Sequence, residues 1–349
     1  MKIRDLELML VEVPSSNGPP AVRSLLVRLS TDVGLDGWGE CPSTFRAEDL
    51  PWRTASLLAM LEGRSPFDIE QIAALDAHAE PSIAVALQTA LWDLIGRSAR
   101  QPLCHLLGGL YRNHVPLAAP LPGQPADSLA LVARERAEQG FHTLVLPSSG
   151  DPLHDLAALN AVQAVIGERT ELRLDGQSRF EIHQARDFCR RLEDHALSSF
   201  LDPLVEDHTG KLMMLARQTS VPLSAGRSIR NTADVLAVAC GGGLRSVVLD
   251  LFQLGGLNQT RDAVAVARAG GMGVSLSVSP SLGVGMAAAL HLAAALPALD
   301  RAHTCYYPDL EDDILTESHP TADGMMAVPA GPGLGVKLDR AKLDRYQVG

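Results

Sequence analysis

Aromatic side chains are scarce in this chain. They make up 4% of 349 residues: seven Phe, four Tyr and three Trp. A core with so few rings must be filled by small aliphatic side chains, which suits helices packed on a parallel sheet. Runs of cationic residues are also missing. Thirty Lys and Arg against 41 Asp and Glu leave a net charge of −11. Nucleic-acid binding needs clustered cations, so no nucleic-acid partner is expected. No apolar stretch reaches the ~18 residues of a membrane span. The longest candidate, Met286 to Leu299, is too short and rich in Ala, so no membrane partner is expected either. The opening Met1-Lys2-Ile3-Arg4-Asp5 places charges where a secretory signal needs its apolar run. The five cysteines (Cys41, Cys104, Cys189, Cys240 and Cys305) are odd in number, scattered and without a Cys-x-x-Cys pair. Neither a disulfide framework nor a zinc site is indicated, and the expected location is a reducing cytoplasm.

The residues that are present define an order along the chain. Apolar residues at 46% and charged residues at 20% exclude global disorder. At roughly 100–200 residues per domain, the length suggests two domains, or one large barrel with an addition. Leu6–Val13 and Ser24–Ser30 read as strands, and Thr31–Gly37 supplies turn residues before Trp38-Gly39-Glu40. Arg46–Gly63 and Phe67–Ala79 look helical. In Pro81–Arg97, Ile83, Ala86, Leu87, Ala90, Leu91 and Leu94 recur at helical spacing. From His114 the pattern changes to eight short apolar runs alternating with seven helical segments, from Val115–Ala119 to His303–Tyr306. Alternation of this kind implies parallel strands with right-handed crossovers, and eight units favour a closed barrel.

The expected class is α/β: a modified TIM barrel of (β/α)7β type with an N-terminal α+β capping domain completed by the C-terminal segment. The boundaries fall at 1–113 for the cap, 114–307 for the barrel and 308–349 for the tail. The tail's Gly331-Pro332-Gly333-Leu334-Gly335 has no strand–turn–helix context and no Lys, so it reads as a turn rather than a phosphate loop.

Several short motifs occur in a telling order. They are Gly37-Trp38-Gly39-Glu40, Ala90-Leu91-Trp92-Asp93-Leu94, Gln101-Pro102-Leu103 and Leu106-Leu107-Gly108-Gly109. Leu254-Gly255-Gly256-Leu257, Ala287–Leu292 and Val328-Pro329 with Gly331–Val336 follow. Together they resemble the enolase superfamily, in its mandelate racemase/muconate lactonizing enzyme branch, over nearly the whole chain. The resemblance implies an isomerase or lyase acting on a small carboxylate. It implies a proton abstracted next to that carboxylate, with Mg²⁺ on three carboxylates at strand ends three, four and five stabilising the enediolate. It implies a Lys on strand two, or a His–Asp pair on strands seven and six, as the proton carrier. It also implies assembly as a homo-oligomer, a dimer or an octamer.

Position by position, the chain departs from that pattern. On strand two the inward slots hold Val145 and Pro147, which accept no proton. On strand three Asp175 keeps a metal-ligand position, with Gln177 for the usual Asn. On strand four the ligand slot is Leu201, and strand alternation points Asp202 away from it. On strand five Gly226-Arg227-Ser228 places a permanent cation where a ligand belongs. A guanidinium beside Mg²⁺ repels it by several kcal/mol at an effective dielectric of about 20. Asp250 holds the carboxylate place of the His–Asp pair, but Ser275–Ser279 contains no His, and His291 belongs to the seventh helix.

Arg227 and Asp175 are therefore expected to face each other across the barrel mouth in a bidentate fork. Arg227 stands in for the metal's charge, receives a substrate carboxylate or phosphate, or forms a structural pair. Candidate catalytic residues are Asp250 and Arg227. Asp250 also reads as a strand-end carboxylate accepting backbone N–H groups. Candidate substrate contacts are Asp175, Arg227, Ser148, Ser277 and Ser279. His154 and the Ser148-Ser149 pair lie on a loop of the same face, and Pro14–Pro20 forms an uncharged lid loop. No cofactor is expected, with Mg²⁺ as the alternative.

Three functions stay open. One is a metal-independent enzyme using Arg227, with Asp175, Asp250 or a lid group as base. Another is a non-catalytic binder of a small acid. The third is a conventional Mg²⁺-dependent racemase, cycloisomerase or dehydratase, if the strand-end alignment is shifted and Asp175, Asp202 and Glu206 hold the ion.

Overall fold

The computed structural model describes residues 1–16, 21–75, 81–123, 125–205 and 209–348. The end of the Phe67–Ala79 segment, Asn17–Pro20 of the expected lid and Glu206 lie outside them.

The first layer is an antiparallel meander of β1 (Ile3–Pro14), β2 (Ala21–Thr31) and β3 (Asp36–Pro42). Three cap helices follow: α1 (Leu50–Leu61), α2 (Ile69–Leu75) and α3 (Pro81–Ala99). The apolar stripe read from the sequence covers the sheet, and Ile83, Ala86, Leu87, Ala90, Leu91 and Leu94 are all buried with Leu25, Val27 and Leu29. The approach is close enough to need glycine on β3. A Cβ on Gly39 would sit 1.7 Å from the Ala86 carbonyl oxygen. After the short α4 (Leu103–Leu106), the chain enters the barrel.

Eight parallel strands form it: β4 (His114–Pro120), β5 (Thr143–Pro147), β6 (Glu171–Asp175), β7 (Ser199–Leu201), β8 (Leu223–Ala225), β9 (Ser246–Asp250), β10 (Gly273–Val278) and β11 (His303–Cys305). Pairing of His303 with Leu117 and Thr304 with Ala118 closes the ring. The crossovers are α5 (Ala126–Glu138), α6 (Pro152–Gln163), α7 (Ile182–Leu192), α8 (Thr209–Ala216), α9 (Thr232–Gly241), α10 (Leu251–Leu254) with α11 (Leu257–Ala269), and α12 (Gly283–Ala295). This is the (β/α)7β barrel that the alternation predicts. Every residue of α12 is buried, because the cap covers the face that solvent would otherwise wet. Among the described residues no helix is long and apolar enough to cross a membrane. Three of the seven Phe form one cluster: Phe180, Phe188 and Phe200 have ring centroids 5.2–6.2 Å apart. Its edge and tilted contacts are the favourable ones for aromatic rings.

The tail does more than return to the cap. Its hairpin, β12 (Thr321–Ala322) and β13 (Met325–Ala327), adds antiparallel to β4 at His114–Pro116. The chain then crosses α3, where the Asp93 carboxylate accepts from Leu334 N at 2.8 Å, Trp38 N at 3.0 Å and Arg97 Nε at 2.8 Å. It ends in α13 (Arg340–Tyr346), packed on β1 beside a Val11–Gln347 bridge.

A buried carboxylate also joins cap to barrel. Glu40 of β3 accepts from Leu282 N at 2.5 Å, Gly285 N at 2.7 Å and the Ser24 hydroxyl at 2.7 Å. This places it at the N-terminus of α12, where backbone donors are unpaired within the helix and a negative charge is favoured.

Candidate functional site

The carboxyl ends of the barrel strands surround a cavity of about 260 Å³. In a closed α/β barrel this is the end where loops collect chemistry. Asp175 ends β6, and Arg227 follows β8. The guanidinium meets the carboxylate in a fork: Nη1 to Oδ1 at 2.8 Å and Nη2 to Oδ2 at 2.9 Å. The Gln177 amide donates to the same Oδ1 at 2.9 Å.

Asp202 departs from the alternation rule. Its φ of +40° is in the left-handed region. That twist brings it into the cavity wall beside Leu201, where alternation had pointed it away. Its carboxylate accepts from Gly226 N at 2.9 Å and Arg227 N at 2.8 Å, and Arg227 Nη1 lies 3.4 Å away. A Cβ on Gly226 would come within 2.9 Å of Asp202 Oδ2, so glycine is what lets the carboxylate approach. Burial pushes the Asp202 carboxyl up to about 6, against the pull of the two amides and Arg227. Arg227 is held above its ordinary value, mainly by its hydrogen bonds to Asp175.

Asp250, at the end of β9, lines the same cavity. Its carboxylate accepts from Phe252 N at 2.8 Å, Gln253 N at 3.1 Å and the Ser279 hydroxyl. Burial raises its carboxyl and these donors lower it. Ser277 and Ser279 are in the wall, as is Val145.

Ser148 is not, which corrects its placement as a contact in this cavity. Asp155 of α6 takes its hydroxyl and also binds Ser149 through Oγ at 2.6 Å and N at 2.7 Å. Both serines, Pro147 and His154 line a neighbouring cavity of about 430 Å³ instead. His291 is a core residue, with ring nitrogens 3.2 Å from Cys104 N and 3.1 Å from the Leu334 carbonyl.

Sequence reasoning missed Thr304, Tyr306 and Gln253, which also line the cavity. The rule that found Asp175 would have found Tyr306, the residue just past the eighth strand. Gln253 had no such signal. Its amide donates to the backbone carbonyls of Arg227 at 2.8 Å and Ile229 at 3.1 Å, holding the loop that carries the guanidinium.

The residues present do not fit a three-carboxylate magnesium site. Both oxygens of Asp175 are taken by Arg227, and Asp202 faces the same cation. Among the described residues no group of three or more His, Cys, Asp or Glu is arranged to hold a metal ion.

Two family models match the chain. Residues 20–108 match the mandelate racemase/muconate lactonizing enzyme N-terminal domain, and residues 128–342 match the enolase C-terminal domain-like family. The chain belongs to the mandelate racemase/muconate lactonizing enzyme branch of the enolase superfamily. It is 30% identical over 275 residues to muconate cycloisomerase 1 of Rhodococcus opacus, covering 78% of this chain and 73% of that one. It is 25% identical to a D-galactonate dehydratase of Xanthomonas oryzae pv. oryzae, covering 93% and 91%. The crystal structure of a dipeptide epimerase from Enterococcus faecalis V583 superimposes with a TM-score of 0.88 at 24% identity, over 97% of this chain and all of that one. The epimerase likeness establishes the shared fold. The relatives span cycloisomerase, dehydratase and epimerase names, so family membership gives a barrel and an ancestry without a substrate.

Proposed function

We propose that the strand-end cavity holds a small carboxylic acid on Arg227, and that the chain does this without magnesium-assisted removal of an α-proton. The single observation that carries the proposal is the Arg227–Asp175 fork, a permanent cation in a ligand's place. A guanidinium also matches the geometry of a carboxylate, and 45% of the Arg227 side chain stays exposed to receive one. The proton carriers support the same reading. Val145 stands where a Lys base is implied, and Ser277 and Ser279 stand where a His is implied. Asp175, Asp202 and Asp250 have both oxygens engaged by donors of the protein itself.

A second reading is a conventional metal enzyme. The exposure of Arg227 favours it, because swinging that side chain outward releases Asp175 from the fork and takes the cation away from Asp202 on the same cavity wall. Calorimetry with Mg²⁺ and Mn²⁺ separates the two. Saturable binding of an acid with no divalent ion supports the proposal. Micromolar metal binding that is lost in Asp175→Ala overturns it. Deuterium exchange from solvent into a panel of acids then tells turnover from binding. Incorporation abolished by Arg227→Met marks an enzyme, and acid binding without exchange marks a binder. The proposal retains a cytoplasmic location and a dimer or octamer, the latter checked by light scattering.

A further inference from the structure

The cavity has an excess of negative charge. Among the described residues that line it, Arg227 is the one cation, against Asp175, Asp202 and Asp250. Asp175 takes the guanidinium fork, and Asp202 shares its edge at 3.4 Å. Among the described residues Asp250 has no such partner. Two backbone amides and the Ser279 hydroxyl orient its carboxylate, yet burial still pushes the carboxyl up, because neutral donors do not replace a cation beside a charge held away from bulk water. The remaining polar wall residues, Ser277, Thr304, Gln253 and Tyr306, are neutral groups. A plain acid entering on Arg227 therefore adds a negative charge to a surplus that none of the described wall residues offsets. A diacid adds two.

We infer that the ligand carries a cationic nitrogen besides its carboxylate, the nitrogen seated against Asp250 and the carboxylate against Arg227: an amino-acid-type zwitterion rather than a simple organic acid. This rests on the cavity being an acid site, as proposed above. It turns Asp250 from a candidate base into a specificity-determining residue. The bonds that already hold its carboxylate fix an acceptor in place for an ammonium group.

Matched probe sets provide the test. Each set holds an amino acid, the hydroxy acid of the same skeleton and the amine lacking the carboxylate; leucine, 2-hydroxy-4-methylpentanoate and 3-methylbutylamine form one, and glycine, glycolate and methylamine another. Dissociation constants are measured by calorimetry on the full chain. In at least one set the amino acid is expected to bind ~10-fold or more tightly than either partner, one decade being about 1.4 kcal/mol. Asp250→Asn keeps a good helix cap in place, and it should shrink the amino-over-hydroxy preference to within about threefold of parity. Hydroxy acids that bind as well as amino acids overturn the inference and leave the acid site standing. Amines that bind as well as amino acids, or a preference that survives in Asp250→Asn, also overturn it. If no probe of any set binds the native chain, the inference and the acid-site reading fall together.

Discussion

Replacing Arg227 by Glu should convert this cavity into a divalent-metal site, and the size of the effect can be worked from the geometry. The substitution breaks two charge-assisted hydrogen bonds to Asp175 and brings a third carboxylate beside Asp175 and Asp202. Fully buried, the loss of a partner from such a pair costs about 3–5 kcal/mol. Arg227 is 45% exposed while Asp175 is 13% exposed, so solvent already screens part of the interaction. A loss of about 2 kcal/mol is expected. For a chain of 349 residues that lowers the melting midpoint by roughly 3 °C. Magnesium then distinguishes the two proteins. At about 10 mM, an ion bound with a Kd of about 0.1 mM returns about 2.7 kcal/mol to the variant. It should leave the native chain where it was, because the guanidinium holds the seat. Thermal melts of both proteins with magnesium and with chelator provide the comparison. A native chain that gains ~3 °C in magnesium, or a variant that gains nothing, refutes the idea that Arg227 substitutes for a metal.

Further outcomes concern the scaffold. The Glu40 carboxyl is pushed up to about 7 by burial, so the native chain holds that proton more tightly than the unfolded chain does. Its contribution is most favourable below about 4.5 and is lost as pH rises toward 7, an effect of up to about 3 kcal/mol. Glu40→Gln should flatten that part of the pH profile, read from urea midpoints; an unchanged slope removes Glu40 as its source. Gly39→Ala should cost more than about 3 kcal/mol, since the new Cβ meets the Ala86 carbonyl at 1.7 Å. Circular dichroism melts read that loss, and a near-native midpoint contradicts the packing. Asp93→Ala strands the amides of Trp38 and Leu334 and the Arg97 side chain, and should lower stability by about 3 kcal/mol in the same melts.

How much of this was legible in the sequence depended on the range of the forces involved. The alternation of apolar runs and helical segments from His114 onward fixed the barrel, because each unit's periodicity is a local property of a strand or an amphipathic helix. The stripe on α3 likewise foretold its cover over the cap sheet. Arg227 and Asp175 were visible as strand-end residues, and closure of the ring brings strand ends together by geometry alone. Other features turned on contacts that no spacing encodes. Asp202 reached the cavity through a left-handed residue, stabilised by the amides of Gly226 and Arg227 from the next strand. Ser148 was drawn aside by Asp155, seven residues further along and folded back above it. Glu40 gained its partners some 240 residues away, at the head of α12. The sequence by itself determined which elements form and which residues stand at the rim. The tertiary structure alone decided where each rim side chain turns, because a carboxylate or hydroxyl leaving bulk water goes to the nearest donor or acceptor that can replace it.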